Sequence, residues 1–142
     1  MNKTRIKNFI QSIADVKVSF RKEGFYYDEP TETINVDLTD IENDYGFIRN
    51  LKEAHNCRFV NRYSHLLWAI LHEIGHYYTL EDYVYDENEA GARLALACLT
   101  SEMVEDPNIQ DQYYAIPSEW GATEWAIEFA RHNRSVCEHF DK

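Results

Sequence analysis

Cysteine, proline and glycine are all scarce in this chain of 142 residues, and each shortage excludes something. The three cysteines, Cys57, Cys98 and Cys137, stand at irregular spacing. An odd, scattered set does not make a disulfide framework and fits a reduced, cytoplasmic protein. Three prolines and five glycines are too few for a collagen-like or low-complexity chain. Basic residues are also short: 14 Lys and Arg against 25 Asp and Glu give a formal net charge of -11. A surface that binds nucleic acid directly is normally basic, so the charge speaks against that class and favours a basic or cationic partner. No apolar run reaches the roughly 18 residues of a membrane-spanning helix. The opening "MNKTRIKNFIQSIADV" lacks a continuous apolar stretch and a small-residue cleavage site, so it reads as an amphipathic helix rather than a signal peptide.

What is present is a globular composition, 44% hydrophobic and 14% aromatic, which suffices for the core of one domain spanning residues 1–142. Neither a repeat nor a linker divides it. "IKNFIQSIADV" carries Ile6, Phe9, Ile10 and Ile13 at helical spacing. "VKVSF" alternates Val16, Val18 and Phe20 with polar residues, the period of a strand. "GFYYDE" and "TINVDL" are two more short strands around a turn at Pro30. From about residue 43 the pattern is helical, over 43–55, 60–79, 86–103 and 117–133. Asp86 and Glu89 have the spacing of a capping box, and Pro117 with Ser118 marks the last start. The expected fold is α+β: a small β-sheet beside a mainly helical domain, with the 60–79 helix at its centre.

That helix contains "LLWAILHEIGHYYTL", an apolar run that carries His72, Glu73 and His76. Residues four apart share a helix face, so His72 and His76 aim two imidazoles at one spot. Neutral imidazole suits zinc, and two such ligands make most of a three-ligand site. Glu73 sits about 100° round the helix, placed to reach a water rather than to join both histidines on the metal. This is H-E-x-x-H, with the glutamate as general base. The bland alternative is two core histidines bonded to backbone. Burying three ionisable groups without a partner costs several kcal/mol, which a metal relieves. Gly75 costs about 1 kcal/mol within a helix, which implies a close approach there.

"HEIGH" followed later by "SEWGATEWA" resembles the ImmA/IrrE family of small zinc metallopeptidases, and more broadly the gluzincins. The resemblance covers roughly residues 60–130 and implies a minigluzincin-like fold. It also implies a third zinc ligand from a glutamate on a later helix, in the pattern Glu-x-x-Ala-(Asn/Asp)-x-(aromatic)-Ala. Glu119, Ala122, Trp125 and Ala126 match it, with Thr123 where Asn or Asp is usual. Glu87 and Glu89 in "ENEAGARLA" are rivals for that ligand, although helix capping and dipole compensation account for them equally well. The implied activity is a Zn2+-dependent endopeptidase acting on a cytoplasmic protein or peptide substrate, with a phage or mobile-element transcriptional repressor as the expected target.

The remaining residues carry less. His65, two turns before His72, reads as an edge or core histidine beside the cleft. Tyr113 and Tyr114 precede the presumed ligand helix, where a hydroxyl can stabilise an oxyanion, but packing explains either one. Trp68, Trp120 and Trp125 read as core. The pairs His55 with Cys57 and Cys137 with His139 are weak metal signals, and Asp82, Asp86, Glu87 and Glu89 read as a solvated face. "TINVDL" is the candidate sheet edge for an extended substrate. A different class also fits: a non-catalytic acidic module with a structural metal, docking a basic or nucleic-acid-binding protein. Glu73 separates the two, since only hydrolysis needs it.

Overall fold

The computed structural model describes residues 2–40, 45–97 and 107–142. Among them lie a three-stranded mixed sheet and seven α-helices, an α+β fold. Helix α1 (Lys3–Ile13) is capped by the Asn2 side chain, which accepts from the Thr4 N–H, and buries Ile6 and Ile10. Strands β1 (Lys17–Ser19), β2 (Tyr26–Asp28) and β3 (Thr33–Asn35) follow. Their spatial order is β1-β3-β2, with β3 parallel to β1 and antiparallel to β2. Val18 and Tyr27 both register on Ile34, which is fully buried. β3 is therefore the middle strand, and the expectation of an open edge at "TINVDL" is overturned. β2 is the edge that lies against α3, while the other edge, β1, packs on α1.

Asn35 fixes the connection from β1 to β2. Its buried amide donates to the Arg21 and Gly24 carbonyls at 3.0 and 2.7 Å, and its oxygen accepts from the Ser19 hydroxyl and the Arg21 N–H. Gly24 turns there at φ 86°, which favours glycine, and donates its N–H to Asp37. Hydrogen bonds from Thr39 and from the Gly24 N–H hold the Asp37 carboxyl below its ordinary range.

The helical part comprises α2 (Tyr45–Glu53), α3 (His65–Thr79), α4 (Glu87–Ala97), α5 (Pro107–Tyr114), α6 (Pro117–His132) and α7 (Arg134–Asp141). The helix expected over 60–79 is split. Val60–Arg62 forms a 3-10 turn, and Ser64 then caps α3 by accepting from the Leu67 N–H. Ser64 is itself anchored by Asp141 of α7, which accepts from its N–H at 2.9 Å and its hydroxyl at 2.6 Å. The sequence pattern did not separate α5 or α7. Residues 43–44 and 98–103 of the expected helices, with Cys98, lie outside the described residues.

α3 is apolar nearly all round, which suits a buried helix. It packs against α1, α6, α7 and β2. Leu67, Trp68, Ile70, Leu71 and Ile74 are fully buried, each worth about 1.5–3 kcal/mol. Its closest partner is α6. A Cβ on Gly75 would lie 3.0 Å from the backbone carbon and Cα of Ala122, and closer still to its carbonyl oxygen. That is the close approach Gly75 implied, and Ala122 is fully buried at the crossing. Among the described residues, no helix is long and apolar enough to cross a membrane.

Gly75→Ala tests the crossing. The added methyl meets backbone, which cannot rotate aside, so stability falls by about 1–3 kcal/mol in chemical denaturation. An unchanged unfolding midpoint would mean that α6 yields at no cost.

Candidate metal centre

His72 and His76 lie one turn apart on the face of α3 that meets α6, with Glu73 beside them. All three are buried, at 6%, 8% and 7% exposure. Opposite stands Glu119, in the first turn of α6 and 3% exposed. Its Oε1 is 3.2 Å from His72 Nε2 and 3.1 Å from His76 Nε2, and its Oε2 is 3.0 Å from His76 Nε2. The Gly75–Ala122 crossing brings these atoms together, because it sets how far Glu119 stands from the histidines.

Thr123, one turn beyond Glu119, is fully buried. Its hydroxyl donates to the Glu119 carbonyl at 3.0 Å, which leaves a lone pair for the His72 Nδ1–H, also at 3.0 Å. A neutral His72 so oriented presents its Nε2 lone pair to the centre, the form that binds a metal. Threonine therefore makes the contact that Asn or Asp would make in the resemblance pattern. Phe47 packs edge-on against the same ring, at 5.1 Å between centroids.

Burial pushes the Glu119 carboxyl up, but its contacts with His72 and His76 outweigh this and hold it far below the usual carboxylate range. His76 is penalised by burial and raised on balance by Glu119 and Glu73. Burial dominates at Glu73 and raises it, although the two histidines and the Tyr27 backbone N–H pull it back. That N–H comes from β2, so the edge strand touches the helix at its glutamate.

The donor set fits zinc. Two imidazole nitrogens and a carboxylate oxygen are its ordinary ligands, and bonds of about 2.0–2.2 Å in a tetrahedron put ligand atoms about 3.3–3.5 Å apart. The 3.0–3.2 Å separations here fall within a few tenths of an ångström of that edge. Glu73 also has an oxygen within 4.8 Å of the ligand atoms of both histidines. Glu119 is the better third donor, because one of its oxygens already lies within 3.2 Å of both Nε2 atoms.

The rival glutamates do other work. Glu87 is exposed. Asp86 caps α4 by accepting from the Glu89 N–H, but Glu89 does not return the bond as a capping box would. Its carboxylate crosses to α6, accepting the Ser118 N–H at 2.9 Å and the Ser118 hydroxyl at 2.5 Å. It caps a helix whose own N-cap, Ile116, has no side-chain oxygen. Glu89 is thus no part of a solvated face. Arg93, missed by the sequence reading, joins the same cluster: its Nε donates to Glu89, and its Nη2 to Ser118 and to Glu119 Oε2 at 2.8 Å. The four-residue spacing from Glu89 to Arg93 was a legible signal of the pair. Ser118 and the Tyr27 amide gave none.

Two cavities flank the centre. One, of about 390 Å³, is lined by Tyr27, Glu73, His76, Arg93, Tyr113 and Glu119 among others. The second, of about 220 Å³, adds His72, Phe47 and Tyr114. A third, of about 310 Å³, meets the first at Tyr27, Glu29 and Leu80. Tyr113 lines the first two; burial, Glu119 and Glu73 all raise its hydroxyl above the ordinary phenol value, so it stays a donor. Tyr114 packs on Phe47 instead.

Other candidates fall away from the centre. His65 is half-buried and lines none of these cavities. Of the tryptophans, Trp68 is core, Trp125 packs against the core from its edge, and Trp120 lies apart from it. Trp120 is half-buried and stacks on His55, and Trp125 is half-buried and stacks on Tyr78 and Phe129. His55 pairs with Glu124, Glu138 with Arg134, and the buried Cys57 and Cys137 are free thiols. No family model matches this chain, and neither a curated protein nor a solved structure does.

Removing the third donor tests the assignment. Glu119→Ala reduces zinc uptake sharply in equilibrium dialysis, while Glu87→Ala leaves it unchanged. Full uptake by Glu119→Ala would return the role to Glu73 or to a residue outside the centre.

Proposed function

We propose that this chain is a zinc-dependent endopeptidase of the ImmA/IrrE kind, acting on a cytoplasmic protein substrate. One observation carries the proposal: a buried carboxylate oxygen of Glu119 shared by His72 Nε2 and His76 Nε2, with Glu73 beside them lining both flanking cavities. His72, His76 and Glu119 would hold the metal. Zinc, when bound, acidifies a water and polarises a carbonyl. Glu73 takes a proton from water in the cavities it lines and hands it to the leaving amine. Burial raises its carboxyl above the ordinary range, and the Tyr27 backbone N–H pulls it part of the way back. Tyr113, protonated and facing Glu73 and Glu119, is placed to donate to the oxyanion that forms opposite.

The unpaired side of β2 supports a polypeptide substrate. An extended chain could add to that edge next to Glu73, with cavities on either side to receive its side chains. Room at both ends suits cleavage within a chain. A transcriptional repressor as the target comes from the family resemblance alone.

Two measurements separate catalysis from metal binding. Purified protein binds about one zinc per chain, and His72→Ala or His76→Ala loses it, read by elemental analysis. Wild-type protein that takes up no zinc when supplied with it would refute the site. Glu73→Gln keeps the shape and the metal but removes the base, so in-cell function falls by at least about 100-fold. Unchanged function would favour the acidic docking module with a structural metal.

A further inference from the structure

We propose, resting on the metal-site reading above, that Arg93 is a positioning residue for the third ligand. It occupies Glu119 Oε2, so that Oε1 alone is offered to the metal and one coordination position stays open to water.

Glu119 has two oxygens and four neighbours: His72, His76, Arg93 and the Tyr113 hydroxyl. Oε1 serves both imidazoles, and Oε2, although 3.0 Å from His76 Nε2, also takes the Arg93 Nη2 at 2.8 Å. A carboxylate with both oxygens free can close on a metal bidentately and, alongside the hydrolytic water, raise it from four- to five-coordinate. Arg93 opposes this because it is itself held. Its Nε donates to Glu89 at 2.6 Å and its Nη2 to Ser118 at 2.7 Å. Glu89 is fixed in turn by the Ser118 N–H and hydroxyl at the head of α6. The planar guanidinium spans the Glu89 and Glu119 carboxylates together, which a single ammonium does less rigidly. α4 thereby clamps a ligand on α6 without offering one itself, and among the described residues Arg93 is the one arginine or lysine lining the cavity that holds Glu73, His76 and Glu119.

Cobalt(II) substitution tests this, because its visible absorption is strong when four-coordinate and weak when five-coordinate. The Co2+-loaded wild type should show the strong band. R93K should keep it, since a long cationic side chain still reaches Oε2, and R93Q, whose shorter neutral amide does not, should lose much of it as the freed oxygen joins the metal. E89Q, which leaves Glu119 and Arg93 in place but removes Arg93's anchoring charge, should give an intermediate band and serves if R93Q does not fold. A wild-type spectrum from R93Q, or from E89Q where R93Q is unfolded, overturns the role of Arg93 while the metal site stands. Wild-type protein that takes up no cobalt or zinc overturns the site and this role together.

Discussion

The backbone contact between α3 and α6 at Gly75 and Ala122 governs the distance between two histidines and a glutamate that lie 43 residues or more apart in sequence. A larger residue on α3 would push Glu119 away from both imidazoles together. Gly75 therefore trades helix propensity for proximity. The cost of about 1 kcal/mol is small beside the several kcal/mol at stake in leaving buried ionisable groups unpartnered. Ser64, anchored by Asp141, holds the other end of α3 and fixes its rotation, so the histidine face stays turned to α6.

Charge is distributed around the centre in a connected set. Glu119 is kept ionised by its histidine neighbours, and Thr123 orients the first of them while spending its own proton on the Glu119 carbonyl. Arg93 and Glu89 extend the set to the head of α6, where Glu89 supplies the cap that Ile116 cannot. Each member has at least one fixed partner, as a buried polar cluster requires if it is not to destabilise the fold. Glu73 is the least constrained of the acidic groups there. It is buried, it has the Tyr27 N–H for company, and it faces both flanking cavities.

The sheet shapes access to that centre more than it stabilises the core. It is only three residues deep, and its middle strand supplies the fully buried Ile34. What matters for the site is that Asn35 and Gly24 bring the chain round so that β2 becomes the outer strand beside α3. The outer edge of β2 is thereby set beside the helix that carries His72, Glu73 and His76.

The sequence by itself determined the candidate donor residues and most of the elements. His72, Glu73 and His76 are four-residue geometry on one apolar helix, and the period of an α-helix needs no tertiary information. The three strands, α1, α3 and α6 follow from their local periods, and Glu119 came from a resemblance in residue pattern. Tertiary structure decided the rest, because those facts depend on which segments meet. Strand order is not written in alternation, so β3 rather than β2 was taken for the edge. Thr123 could serve His72 only once α6 lay against α3. Glu89 looked like a capping residue of its own helix, and it caps a different one. Arg93 showed a local partner four residues away, but its contact with Glu119 spans 26 residues and exists only because α4 docks at the head of α6. Short-range periodicity is set by backbone geometry along one element, whereas the groups that orient a buried site are chosen by how separate elements pack.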